Sequence, residues 1–204
     1  MSTEGLLPRI TAATLADHQA NQRRAVLDAA REILAEVGGG ALSLSKVAAR
    51  VGLARSSLYQ YFDSRQDLLD ALVEDLFPRW LQLVTGAMDG EPSPALRVLA
   101  YANANLRLVA DGEHAVAGAL AAASPGADFA ERSRVMHDQL SAPLTEALEA
   151  LGVPNPSATA ELVNAVVHKA SRMIESGISL EDTSARVEEI LRPFLTAQEN
   201  RHSS

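Results

Sequence analysis

Between Ser43 and Phe62 the apolar positions keep a helical period that is broken once. Leu44, Val47, Ala48 and Val51 fall at i, i+3, i+4 and i+7, so they share one stripe of a short helix. Ser43 precedes the stripe as an N-cap. Gly52 follows it, where the chain must leave the helix through a left-handed conformation that costs a residue without a Cβ little. Leu58 and Phe62, four apart, form the inner face of a second helix, and rotation of about 100° per residue turns Ser56 and Gln60 to its outer side. Two short helices joined by a glycine turn, the second polar on its outer side, predict a helix-turn-helix.

The same period organises the rest of the chain. A preceding helix is expected from near Gln19 to Val37 on the stripe Val26, Ala29, Ala30, Ile33, Leu34 and Val37, stopped by Gly38-Gly39-Gly40. That triplet lacks the Lys-Ser/Thr that follows in a phosphate loop, so it reads as a helix stop. A fourth helix starts at Ser64 and runs through Leu68, Leu69, Leu72, Val73 and Leu76. It is expected to bend near Pro78, which removes a donor and crowds the preceding turn. Beyond it, Ser93-Pro94 opens a helix that Asp111-Gly112 ends. Glu113 to Ala123 forms the next, stopped by Ser124-Pro125-Gly126. Ala127 to Leu151 carries Pro143 and is expected to kink or divide there; Asn155-Pro156-Ser157 opens a helix closed by Gly177, and residues 181–197 form the last. The prediction is an all-α chain of about nine helices: a flexible arm over 1–19, a three-helix helix-turn-helix domain over 20–66, and a helical body over 67–204. Composition agrees, since the apolar 47% is mostly Ala, Leu and Val and aromatics are only 4%, with few β-branched runs to favour strands.

The absence of cysteine removes a disulfide framework, a thiolate zinc site and a cysteine nucleophile from consideration. No basic leader with a long apolar run and no stretch of 18 apolar residues occurs, so no membrane association is expected and the cytoplasm is the expected compartment. The net charge of −8 divides unevenly. Residues 20–66 carry Arg23, Arg24, Arg31, Lys46, Arg50, Arg55 and Arg65 against Asp28, Glu32, Glu36 and Asp63, a net +3, whereas residues 71–204 carry a net −8. A positive surface at one end can face phosphates while the acidic remainder helps orient the encounter.

The stretch Arg23 to Leu72 closely resembles the DNA-binding domain of the tetracycline-repressor (TetR) family. The likeness includes Ala29-Ala30, the glycine break, Val47-Ala48, Gly52, Leu58-Tyr59, Phe62 and a basic residue three positions later. The remaining two thirds resembles the family in length and helical character only. The resemblance implies a transcriptional regulator, a repressor in most of the family, that binds a palindromic operator as a homodimer and is released by a small-molecule effector. It also implies a second helical domain that binds the effector and dimerises. Leu162, Val166, Ala170, Met173 and Ile174 line one of the last two helices, and Val187, Ile190, Leu191, Phe194 and Leu195 the other. Periodicity alone would place both stripes inside the monomer; the resemblance implies a four-helix bundle across a two-fold axis.

Within the helix-turn-helix, Ser56 and Gln60 project furthest from the packed face and Arg55 reaches sideways, which makes these three the base-edge candidates, with Ser45 a weaker fourth. Ser43, Ser57, Tyr59, Tyr61 and Arg65 supply hydroxyls and a cation suited to phosphate oxygens. Arg65 stands where the family usually has Lys, and Ser57 where Thr is frequent. Tyr61 lies nearer the packed side, where a structural role is equally open.

In the body, polar and aromatic side chains at inward positions are few. Trp80, Tyr101, Asn103, His114, Met136, His137 and His168 are the candidates for an effector site of unknown ligand, while Asn105 and Arg107 read as solvated. No cofactor and no metal site are expected. An enzyme is the competing class, but no HExxH, GxSxG, Walker or dinucleotide glycine motif occurs, and Glu113-His114 and His137-Asp138 are neighbours that face different sides of a helix. A further alternative is an all-α ligand-binding or interaction module that has lost DNA binding, against which the polar outer face and the positive charge of residues 20–66 both count.

Overall fold

The computed structural model describes residues 12–37, 42–123 and 127–202, and the regular structure among them is helical throughout. The stops at Gly38-Gly39-Gly40 and Ser124-Pro125-Gly126, and most of the expected arm, lie outside the described residues. Helix α1 spans Ala12–Val37, beginning ahead of Gln19 because Ala12, Ala13, Leu15 and Ala16 are good helix formers that carry it into the expected arm. Helix α2 spans Leu44–Arg50, and the Ser43 hydroxyl accepts a hydrogen bond from the Lys46 backbone N–H at 3.3 Å as its N-cap. Gly52 takes φ +72°, the left-handed turn expected of it.

Helix α3 spans only Arg55–Leu58 and so ends before the expected Phe62. The chain continues in a tightened turn: Gln60 N–H donates to the Ser57 carbonyl at 3.2 Å and Tyr61 N–H to the Leu58 carbonyl at 3.0 Å, bonds of the i→i+3 type. Leu58 and Phe62 nevertheless both reach the interior, Phe62 at 1% exposure. Around them pack Val26, Ala30, Ile33 and Leu34 of α1, Leu44 and Val47 of α2, and Leu68, Leu69 and Leu72 of α4 (Arg65–Asp89). Truncating Phe62 to Ala would cost about 3–5 kcal/mol, enough to abolish this small core.

Helix α4 runs through Pro78 without interruption and connects the N-terminal helices to the body. There α5 (Pro94–Ala110) is central, capped by the Ser93 hydroxyl accepting from Leu96 N–H at 3.2 Å and packed against α4, α7 (Ala127–Ala150), α8 (Pro156–Glu175) and α9 (Leu180–His202). Leu99, Ala102 and Leu106 of α5 meet Leu140, Leu144 and Leu148 of α7, Val163 and Val167 of α8, and Leu191 and Leu195 of α9. Helix α7 is not divided at Pro143. Helix α6 (Glu113–Ala123) has a split allegiance: it follows α5 in sequence, yet Val116 and Leu120 complete the N-terminal core and α6 packs on α1. Gly112, at φ +87°, turns the chain from α5 into α6 beside Ala35 of α1.

Each of the last two helices buries an apolar face within the monomer and leaves one bulky apolar side chain outside it. Val163, Val167 and Ala170 of α8 and Val187, Leu191 and Leu195 of α9 are buried within the monomer. Leu162, at 69% exposure, and Ile190, at 60%, stand outside on the same helices. Among the described residues no helix is long and apolar enough to cross a membrane.

Candidate functional site

The outward surface of the helix-turn-helix is built by anchoring one side of α3 and its following turn. With Leu58 and Phe62 fixed inside, Arg55, Ser56, Tyr59 and Gln60 are left exposed, Tyr59 at 43%. Ser57 is half-buried and Tyr61 packs against the N-terminal core, so the bracing role left open for Tyr61 has a contact behind it. Ser45 is exposed on α2, whereas the Ser43 oxygen already caps that helix. Arg65 extends its Nε to donate to the Leu42 carbonyl at 3.0 Å, bracing the segment ahead of α2. Arg55 and Tyr59 act as a unit: a guanidinium nitrogen donates to the Tyr59 hydroxyl at 3.2 Å and the group lies 5.9 Å from the ring centroid.

Ion pairing sharpens the positive end. Arg50 of α2 is gripped by α1, donating to Glu36 at 2.8 Å and to Glu32 at 3.1 Å, which holds the Glu36 carboxyl below its usual range and pushes the Arg50 guanidinium further up. Arg31, 5% exposed, pairs with Asp75 of α4, with Asp28 at 3.9 Å. Asp28, Glu32 and Glu36 of α1 are thereby held in structural pairs, while Arg23, Arg24, Lys46 and Arg55 form no ion pair among the described residues. Lys46 was not among the sequence candidates, although its place beside Ser45 on the exposed side of α2 is the same signal that selected Ser45.

A second feature lies in the body. A cavity of about 320 Å³ is bounded by residues of α4, α5, α6, α7 and α8. Trp80, Tyr101, His114, His137 and His168 line it together, as does Asn105, singled out from sequence but read as solvated, and as do Ser141, Asn164 and Ser171, which sequence reasoning did not assign. Asn164, His168 and Ser171 sit at i, i+4 and i+7, a polar line on α8 that would have identified them. Asn105, expected to be solvated, is buried and accepts from the Trp80 indole N–H at 3.1 Å. Two candidates fall elsewhere. Asn103 lines a separate groove and donates to Glu188 at 3.3 Å, and the buried Met136 borders another beside Phe77 and Pro78. The reason is helical phase: two residues before Asn105 on α5, and one before His137 on α7, face different neighbours.

Between the two features runs an ionic bridge. The Arg79 guanidinium of α4 lies 3.5 Å from Asp28 of α1 and 3.8 Å from Glu113 at the start of α6.

Comparison with known proteins follows the same division. Residues 26–72 match the family described as bacterial regulatory proteins, tetR family. An uncharacterised HTH-type transcriptional regulator of Mycobacterium tuberculosis is 27% identical over 173 residues, covering 84% of each chain. Among solved structures, a transcriptional regulator of the TetR/AcrR family from Thermobifida fusca is similar with a TM-score of 0.63 at 21% identity, covering 84% of this chain and 96% of that one. The regulator FadR of Bacillus subtilis, solved in complex with stearoyl-CoA, is similar with a TM-score of 0.62 at 18% identity, covering 82% of this chain and 96% of that one. At such identities the structural likeness speaks for the fold.

Proposed function

We propose a repressor's mechanism for this chain, which belongs to the tetR family of bacterial regulatory proteins and is a DNA-binding transcriptional regulator. Two copies join through the outer faces of α8 and α9, where Leu162 and Ile190 otherwise present bulky apolar side chains to water. The two-fold axis sets a pair of α3 segments against two half-sites of a palindromic operator. At each half-site Ser56, Gln60 and Arg55 read base edges, with Ser45 at the margin, while Tyr59, Ser57, Ser43 and Arg65 address the phosphates. The observation that carries this reading is the exposed Arg55-Ser56-Tyr59-Gln60 surface, secured by the burial of Leu58 and Phe62 within the segment matching the family.

The effector enters the cavity of the body. It releases the operator only if it binds the non-operator spacing of the dimer more tightly than the operator-competent one, since equal affinity for both shifts nothing. The proposed compartment is the cytoplasm, with the DNA it reads. Selection of bound sequences from random DNA pools, followed by challenge of the selected complex with a metabolite library, tests the proposal. The expected result is a palindromic consensus and at least one compound that dissociates it; a folded protein that enriches no sequence would refute it.

A further inference from the structure

We propose that the effector cavity receives a small organic monocarboxylate, its anionic end taken by His137 and His168 with His114 beside them and its apolar portion against Trp80, Val109, Leu140 and Val167. The inference rests on the reading of this cavity as the effector site.

A census of the wall leads to it. Trp80 N–H donates to Asn105, Asn105 to the Tyr101 carbonyl at 2.8 Å, and the Tyr101 hydroxyl to Asn164 at 2.6 Å. The chain continues from Asn164 to the Ser141 oxygen at 3.3 Å, and from the Ser141 hydroxyl to the His137 carbonyl at 2.9 Å; the Ser171 hydroxyl is spent on Val167. Each neutral polar group of the wall is thus already engaged. The imidazoles of His137 and His168 have no hydrogen-bond partner among the described residues, and His114 uses one ring nitrogen, 2.5 Å from Glu175. Polar recognition in this cavity therefore falls to imidazole.

The sign of the charge it can accept follows from what else lines it. No Asp, Glu, Lys or Arg does. Burial pushes the Tyr101 phenol up to about 12, so it stays neutral. The only charge this wall can acquire is positive, which suits an anion and offers a cation nothing. Three carboxylates near the wall are already engaged: Asp138 beside His137 accepts from Arg134 at 2.8 Å, Glu175 is engaged by His114, and Glu113 faces Arg79, while Lys169 beside His168 adds a positive charge. Desolvation lowers the His137 pKa, and the neighbouring His114 and His168 lower it further against the opposing pull of Asp138. Among the described residues no group of three such side chains converges well enough to hold a metal ion. The volume is at the small end of the roughly 300–1,000 Å³ usual for ligand pockets, which suits a compact acid rather than a long acyl thioester.

Proton linkage provides the signature. An anion raises the imidazole pKa above its free value, so the gain in affinity is complete below the free value and fades as pH rises through the bound one. Where one proton is taken up, affinity changes about tenfold per pH unit. The experiment is calorimetric titration of the full-length, DNA-free protein with butyrate, hexanoate, benzoate and phenylacetate, each beside its amide and its amine, near pH ~6 and pH ~8. At least one carboxylate should bind more than about tenfold tighter than its amide and amine, tighter at the lower pH, with a heat that varies with buffer and reports proton uptake. In a His137→Gln/His168→Gln variant of unchanged helicity, the preference and the pH dependence should both disappear. Equal binding of the amide or amine, a pH-independent affinity, or no binding by any acid of the panel would overturn the proposal. The same compounds added to the operator complex separate the two readings. A non-carboxylate that alone binds and releases DNA removes this inference and leaves the regulator mechanism intact. A carboxylate that binds with proton uptake but never affects DNA does the reverse.

Discussion

Glu113 and His114 are consecutive at the first turn of α6, yet they serve different neighbourhoods: Glu113 lies 3.8 Å from the Arg79 guanidinium that also meets Asp28 of α1, while His114 lines the cavity against the edge of Trp80. One helical turn therefore borders both the cavity of the body and the ionic bridge to the N-terminal helices. A shift of α6 on ligand entry would change both.

Glu113→Gln separates these roles. The variant keeps His114 and the cavity wall, so effector affinity for DNA-free protein should change less than about threefold, while the coupling between effector and operator falls within the usual range of about 1–3 kcal/mol. Operator dissociation measured at saturating effector checks it; an unchanged response would show that the bridge carries no coupling.

At the DNA surface the two kinds of contact should separate on mutation. Gln60→Ala is expected to relax preference at one position of each half-site by about 1–3 kcal/mol, whereas Tyr59→Phe should weaken all sequences alike. Because the Tyr59 hydroxyl accepts from Arg55, the Tyr59→Phe loss should shrink when Arg55 is already Ala. Binding measured across a library of operator variants distinguishes the patterns.

Salt supplies an independent measure. With roughly eight phosphates neutralised per dimer, log affinity should fall against log salt with a slope near −7. A titration of operator affinity with potassium chloride reads the slope directly, and a flat response would contradict phosphate-dominated binding.

The outer faces of α8 and α9 should govern association. Leu162→Glu with Ile190→Glu places charge on two exposed positions, so the monomer should keep its fold and thermal midpoint while sedimentation shows loss of the dimer. Operator affinity should fall at least a hundredfold, since two half-sites no longer bind together.

The Arg50 clamp makes the docking of α2 on α1 sensitive to acid. Glu36 titrates below the usual carboxylate value of 4.5 because Arg50 bonds and attracts its charged form, so the clamp contributes at neutral pH and is lost as pH falls through the lowered value. Carboxyl titration by nuclear magnetic resonance should find Glu36 low in the native chain and ordinary in Arg50→Ala.

The helix-turn-helix was legible from sequence because its signals are local: a stripe at i, i+3, i+4 and i+7, a serine cap, and a glycine at the one position that takes positive φ between the two helices. The early end of α3 was not, because the tightened turn from Ser57 to Tyr61 sets in without any glycine or proline to mark it. Of the two outcomes expected at Pro143, a division does not occur, since α7 runs on through it between α4, α5 and α8. In the body, scarcity of polar residues led to Trp80, Tyr101 and the histidines but could not separate Asn103 from Asn105. Which of the two meets Trp80 depends on the rotation of α5 against α4, a long-range property of packing.

The presence of Val116 and Leu120 in the N-terminal core limits how this molecule can be taken apart. A fragment cut within α4 would leave an oily socket where α6 belongs, and would be expected to clump rather than behave as a portable DNA-reading cassette. Anyone grafting these helices onto another sensor would have to transplant α6 with them, and so would carry along a wall of the cavity in the body.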